Sequence, residues 1–209
     1  MRRPTIIAWL LFLAGVGLVA WYYFATVPGS TPQVVNDAPG EAGGPQIEIT
    51  VTGEANGKIL IELYDNLAPQ HADRITRLAE EGAYDGVVFH RVIDGFMAQT
   101  GDVAFGLEGG DMRQAGLGGS DYPDLPAEFS EEPFVRGTVG MARSQDPDSG
   151  NSQFFIMFDE ASFLDGDYTV VGRVIEGMDV VLDIKRGEGP NGAIIGQPDV
   201  MTNVEVVKE

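Results

Sequence analysis

Between Val87 and Asp102 the chain reads VVFHRVIDGFMAQTGD. A permanent cation, Arg91, two large apolar side chains, Phe96 and Met97, and an amide, Gln99, fall within nine positions. A second stretch, Asn151 to Met157 (NSQFFIM), adds more aromatics and another amide. Taken singly, these residues have plain readings: Arg91 as a surface ion-pair residue, Phe96, Met97 and Phe155 as core, Gln99 as an ordinary strand residue. His90 directly precedes Arg91, so in a regular strand it points the opposite way and is read as structural.

Composition removes several kinds of chemistry. There is no cysteine, which excludes disulfides, thiol nucleophiles and cysteine metal sites. The two histidines, His71 and His90, are too few for a histidine-rich metal site, and no cofactor is implied. The net charge is −19. Arg2 and Arg3 precede an apolar segment; without them 11 of the 13 basic residues face 32 acidic ones, so the remainder carries about −21. A surface this acidic repels phosphate backbones and argues against nucleic-acid binding.

These residues need elements to position them. Ile6 to Phe24 is a nearly unbroken apolar run. Extended to Val27, it reaches the length that crosses roughly 30 Å of hydrocarbon. Trp21, Tyr22 and Tyr23 at its far end fit an interfacial belt, and Arg2 and Arg3 predict an inside N-terminus. Residues 1–27 are therefore expected to form the cytoplasmic start and one transmembrane helix, with the rest of the chain outside the cytoplasm. The competing reading is a cleaved secretory signal, for which only a weak site exists around Ala25-Thr26-Val27. Residues 28–45, rich in Pro, Gly, Ser, Asp and Ala, are expected to form a flexible linker. Residues 46–209 are expected to form the folded domain.

In that domain, Ile47, Ile49 and Val51 alternate with Glu48 and Thr50, Asn56-Gly57 signals a hairpin, and Lys58 to Tyr64 returns. Pro69 opens a helix whose apolar stripe is Ala72, Ile75, Leu78 and Ala79, with Asp73 as its early negative charge and Gly82 as its stop. His71 in its first turn reads as a surface residue. Strands are expected at Val87–Val92, Phe96–Thr100, within Pro133–Ala142, at Gln153–Phe158, Tyr168–Val174 and Val200–Val207, with a short one possible at Ile194-Ile195. Gly101 to Leu125 loses periodicity and is rich in glycine: a long loop that either frames a groove or decorates the surface. Met178, Val181, Leu182 and Ile184 mark a second helix ending near Gly187. Short strands joined by turns argue for a mainly β, antiparallel barrel or sandwich.

The segments FHRVIDGFMAQTGD and SQFFIMFDEASFLDGDYTVVGRVIEGMDVV resemble the cyclophilin family of peptidyl-prolyl cis-trans isomerases over about Gln46 to Val207. The resemblance implies an eight-stranded antiparallel barrel capped by two helices. It also implies the active-site arginine at Arg91, the pocket-edge amide at Gln99, and the floor and wall of a proline pocket at Phe96, Met97, Phe155 and Leu164. Ala142 and Arg143 would be the segment whose backbone pairs with substrate, Tyr168 would close the pocket, and Phe163 would stand where many animal members carry tryptophan. Four departures are visible: Thr100 where glycine is common, Phe163 for that tryptophan, Arg143 for an asparagine, and a long loop from Phe105 to Ser120. They bear on inhibitor sensitivity and substrate preference. The implied partners are proline-containing polypeptides, with the inner membrane of a bacterium as anchor and the domain, often monomeric in this family, in the periplasm. A binding or chaperone module using the same groove with little catalysis is the competing function, and a structural envelope protein the third.

Overall fold

Alternating apolar residues build the first hairpin. The structure, a computed structural model, describes residues 43–207. The expected membrane helix over 1–27, and the linker as far as residue 42, lie outside the described residues. Among the described residues no helix is long and apolar enough to cross a membrane. Strands β1 (Gln46–Thr52) and β2 (Gly57–Leu63) pair antiparallel with Ile47 opposite Ile61 and Ile49 opposite Ile59, all four buried.

Helix α1 (Pro69–Glu80) follows, burying Ala72, Ile75, Leu78 and Ala79 as the stripe predicts. Gly82 ends it in the left-handed conformation (φ 67°), and the Ala83 N–H reaches back to the Leu78 carbonyl. The start of the helix differs from expectation. Its first turn carries no acid. Instead Glu128, from the segment that follows the long loop, accepts the backbone N–H groups of Gln70 (3.2 Å) and His71 (3.1 Å) and bonds the His71 Nδ1 at 2.7 Å. His71 is consequently buried, not on the surface. It also fills the space over Gly150, where a Cβ would lie 2.6 Å from its Nε2. Burial pushes the Glu128 carboxyl upward, but His71 and the two backbone N–H groups outweigh this and hold it below the usual carboxylate range. Replacing Glu128 by alanine therefore removes a helix cap, and urea unfolding at pH 7 is expected to show a loss of about 1–2 kcal/mol. A carboxyl lowered in the folded state stabilises fully above its unfolded pKa of about 4.3 and loses that contribution as pH falls. The gap between parent and variant should accordingly narrow in acid.

The remaining strands are β3 (Val87–Val88), β4 (Arg91–Ile93), β5 (Met97–Thr100), β6 (Thr138–Met141), β7 (Phe154–Met157), β8 (Val170–Glu176) and β9 (Val200–Val206). All pair antiparallel in one nine-stranded sheet of order β3-β9-β1-β2-β8-β6-β7-β5-β4. Nine replaces the expected eight because the run Val87–Val92 is divided. β3 pairs with β9 at one end of the sheet and β4 with β5 at the other. The chain passes from one end to the other through Phe89 and His90, whose backbone groups bond to Asp199 and Ile194. The two end strands are thus consecutive in sequence, which gives the sheet its barrel-like form. Ile194-Ile195 is not a strand; the neighbouring Ala193 makes a single bridge to Arg91. Helix α2 (Met178–Asp183) stops short of Gly187, because the Lys185 N–H turns to the buried Asp199 carboxylate at 2.6 Å.

One face of the sheet buries Val92, Ala98, Val139, Phe154 and Ile156 in the main core, with α1 packed beside β8 and β9 and α2 beside β2. The long loop is held down rather than decorative. Asp102, fully buried, accepts the N–H groups of Ala104, Phe105, Gly116 and Gly118. Asn151 accepts from Ser120 and donates to the Tyr122 carbonyl. The loop, through Gly116 to Ser120, therefore frames one side of a groove that Gln99, Ala142, Arg143 and Gln153 also line.

Candidate active site

Strand register assembles the site. Arg91 lies opposite Gln99, Gln99 opposite Phe155, and Phe155 opposite Gly140. Two residues along, Ile93, Met97 and Met157 form a parallel row. Because side chains alternate along a strand, both rows project from the face opposite the main core. There Met97, Phe134, Phe155, Met157, Leu164 and Val170 form a second apolar cluster, with Phe96, Ala142 and Tyr168 packed at its margin. The Phe155 ring stacks on Phe134 at 5.8 Å, and Tyr168 meets both edge-on. Arg143 lies over the Tyr168 ring at 4.3 Å and donates to the Asp167 carbonyl.

The half-buried Arg91 guanidinium borders this cluster. Its Nη1 donates to Gln99 Oε1 at 3.0 Å, its Nε to the Asn191 carbonyl at 3.0 Å, and its Nη2 to Asn191 Oδ1 at 3.1 Å. Gln99 Nε2 passes on to Gln153 Oε1, and Gln153 Nε2 to the Gly118 carbonyl. No ion pair among the described residues includes Arg91. Burial draws its pKa down and Tyr168 opposes this; a guanidinium stays protonated regardless. The arrangement is a cation held by neutral acceptors at the edge of an apolar surface, beside a groove of about 400 Å³ lined by Gln99, Gly118, Ala142, Arg143 and Gln153. It can bind an apolar ring and stabilise a developing lone pair next to it.

Comparison with known proteins decides the assignment. The family model described as cyclophilin type peptidyl-prolyl cis-trans isomerase/CLD matches residues 46–206. The chain belongs to the cyclophilin family. A probable peptidyl-prolyl cis-trans isomerase of Brucella suis is 64% identical over 142 residues, spanning 66% of this chain and 72% of that one. The crystal structure of the cyclophilin AquaCyp293 from Hirschia baltica superposes with a TM-score of 0.61 at 30% identity, over 76% of this chain and 72% of that one. A cyclophilin-type isomerase of Cryptosporidium parvum shares the fold at 23% identity, with a TM-score of 0.65 over 79% and 98% of the two chains. The chain is a peptidyl-prolyl cis-trans isomerase.

Within this cyclophilin, Phe96, Met97, Phe155, Ala142, Leu164 and Tyr168 lie in one apolar cluster, Arg91 and Gln99 lie beside it, and Arg143 reaches it through Tyr168. Phe163 does not join the buried wall. It is 70% exposed and touches only the rim, tilted against Phe96 at 5.5 Å. Thr100 does not reshape the groove. It follows Gln99 in the strand, so it faces inward, where its hydroxyl donates to the Val88 carbonyl. The Ala142 N–H is committed to the Gln153 carbonyl. Sequence reasoning gave no specific role to Gln153, Asn191, Phe134 or Gly140. Gln153 stands inside the quoted SQFFI motif, and Asn191-Gly192 is a turn signal; nothing marked Phe134.

His90 is 6% exposed, and neither ring nitrogen has a hydrogen-bond partner among the described residues. Burial is the main cause holding its pKa below the ordinary 6.5, against the opposing pull of Asp102. The unfolded chain therefore binds the proton more tightly than the native one. Stability is full above the unfolded pKa and falls as pH drops from about 7 towards 5. Urea titrations at both pH values are expected to show this slope in the parent and a flatter one in His90→Asn.

Proposed function

We propose that Arg91 accelerates rotation about X-Pro bonds by donating to the proline nitrogen, while the adjacent apolar cluster grips the pyrrolidine ring. The barrier is about 18–20 kcal/mol, because the nitrogen lone pair is delocalised into the carbonyl. The two isomers are nearly balanced, so only the rate needs help. At the twisted geometry the nitrogen becomes pyramidal and regains its lone pair. A guanidinium N–H aimed there is bonded strongly only in the transition state, and such interactions raise the rate. Phe96, Met97, Phe155, Leu164 and Tyr168 hold the ring and exclude water, which strengthens the Arg91 interaction. Gln99 orients Arg91, and the Ala142-Arg143 segment lies alongside the peptide. The observation that carries this reading is that every observed partner of Arg91 is a neutral amide oxygen, so its charge remains available. Exchange NMR with an Ala-Pro peptide tests it: saturating peptide should perturb Arg91, Met97, Gln99 and Phe155 while cis-trans exchange quickens. Quickened exchange with perturbations confined elsewhere would sink the assignment.

The reading extends to where the enzyme works. It is anchored in a bacterial inner membrane by residues 1–27, linked by 28–45, and acts as a monomer on exported, proline-containing chains in the periplasm. Support comes from Arg2, Arg3 and the apolar run, and from the bacterial source of the Brucella relative. Protease added to intact spheroplasts should digest the domain; protection there would contradict this topology.

A further inference from the structure

We propose that Asn191 is the positioning residue of the isomerase, fixing the Arg91 guanidinium without neutralising it. The inference rests on the reading of Arg91 above. A guanidinium carries five N–H donors. Three of those of Arg91 are engaged, two by Asn191 and one by Gln99. One N–H on each of Nη1 and Nη2 is left to meet a substrate.

Asn191 stands 100 residues from Arg91 in sequence, and its own geometry is unusual. It is the only non-glycine described residue with positive φ (φ 55°, ψ 31°). L-residues rarely adopt this conformation, and asparagine is among the few that do so readily. From it, both the main-chain carbonyl and the side-chain carbonyl of one residue reach the same guanidinium. The surrounding loop is laid tightly on β4. The Gly187 N–H donates to the Val92 carbonyl, and Ala193 bridges Arg91. A Cβ on Gly192 would stand 2.4 Å from Ile93 Cγ1, and one on Gly187 only 1.9 Å from the Gly192 carbonyl oxygen. The loop is thereby held at a distance that only glycines permit, and Asn191 is presented to Arg91.

The choice of amide over acid completes the argument. Aspartate tolerates the same backbone and could accept the same hydrogen bond. It would also place an anion on Arg91 and drain the field that the twisted amide nitrogen needs. An asparagine supplies geometry alone.

The test measures kcat and KM on a proline peptide for Asn191→Gly and Asn191→Asp, each with Arg91 intact and with Arg91→Ala. Glycine keeps the left-handed backbone and its carbonyl but loses the Oδ1 contact. Asn191→Gly is expected to lower kcat about tenfold with KM little changed and Tm preserved. Asn191→Asp should lower kcat at least as much, although it folds as stably as the parent. In the Arg91→Ala background neither change should matter further. Activities within twofold of the parent for both variants, or equal losses in both backgrounds, would overturn the assignment. A fully active Arg91→Ala would instead overturn the reading of Arg91, and this inference with it.

Discussion

Replacing Arg91 by alanine is expected to lower kcat/KM for proline-peptide isomerisation by about 10²–10³-fold in a domain that still folds. The magnitude is that of removing one preorganised donor from a developing charge. Folding should survive because Arg91 projects away from the main core and has no ion-pair partner among the described residues to leave stranded. Gln99 retains its bond to Gln153, and Asn191 lies at the solvent edge, where water can replace the guanidinium. Arg91→Lys separates charge from shape. A lysine ammonium carries the same charge but lacks the flat fork that bonds Asn191 through Nε and Nη2 at once. It should recover only a minor part of the lost rate. Circular dichroism and Tm would establish folding, and the isomerisation assay the loss. A native Arg91→Ala protein with activity within fivefold of the parent would show that the apolar pocket alone drives rotation.

How much of this was legible in the sequence follows from distance along the chain. Arg91 and Gln99 face each other across one tight turn at Asp94-Gly95, so their spacing already carries their pairing. Phe155 joins them through register, and its motif made it visible. Asn191 and Glu128 act across 100 and 57 residues, from segments whose lack of periodicity hid any role. The division of the expected strand at Phe89-His90 was hidden for a different reason: apolar patterning continues through the break, while the backbone partners change from β9 to β5. His71 misled because a polar residue in a first helical turn normally faces water; here a carboxylate from another loop covers it. Phe163 adjoins the buried Leu164, yet the short 3₁₀ turn over Ser162–Leu164 sends the two side chains to different surroundings. Local motifs conveyed the pocket and its cation. What orients the cation comes from tertiary closure.

Gly140→Ala is expected to damage catalysis and stability together, in contrast to Arg91→Ala. Gly140 sits in β6 directly opposite Phe155, with the phenyl ring lying across it. A Cβ there would stand 2.4 Å from Phe155 Cζ and 2.6 Å from Phe134 Cε1, closer than non-bonded carbons can remain. The backbone at Gly140 is not in the left-handed region, so alanine is tolerated by the main chain and the conflict lies wholly with the two rings. Both rings meet Tyr168 edge-on, but Phe134 is completely enclosed whereas Phe155 is 5% exposed, so Phe155 is the ring expected to yield. Its displacement would push it into the space assigned to the proline ring. KM should rise, kcat/KM should fall at least tenfold, and stability should drop by about 1–3 kcal/mol, the usual cost of overpacking. Adding Phe155→Val to Gly140→Ala distinguishes the two consequences. The smaller side chain relieves the clash and should return part of the lost Tm, but it cannot rebuild the pocket floor, so activity should stay low. Parent-like kcat/KM in Gly140→Ala would mean that Phe155 has room to retreat without leaving its place, and that the pocket does not depend on the missing methyl group.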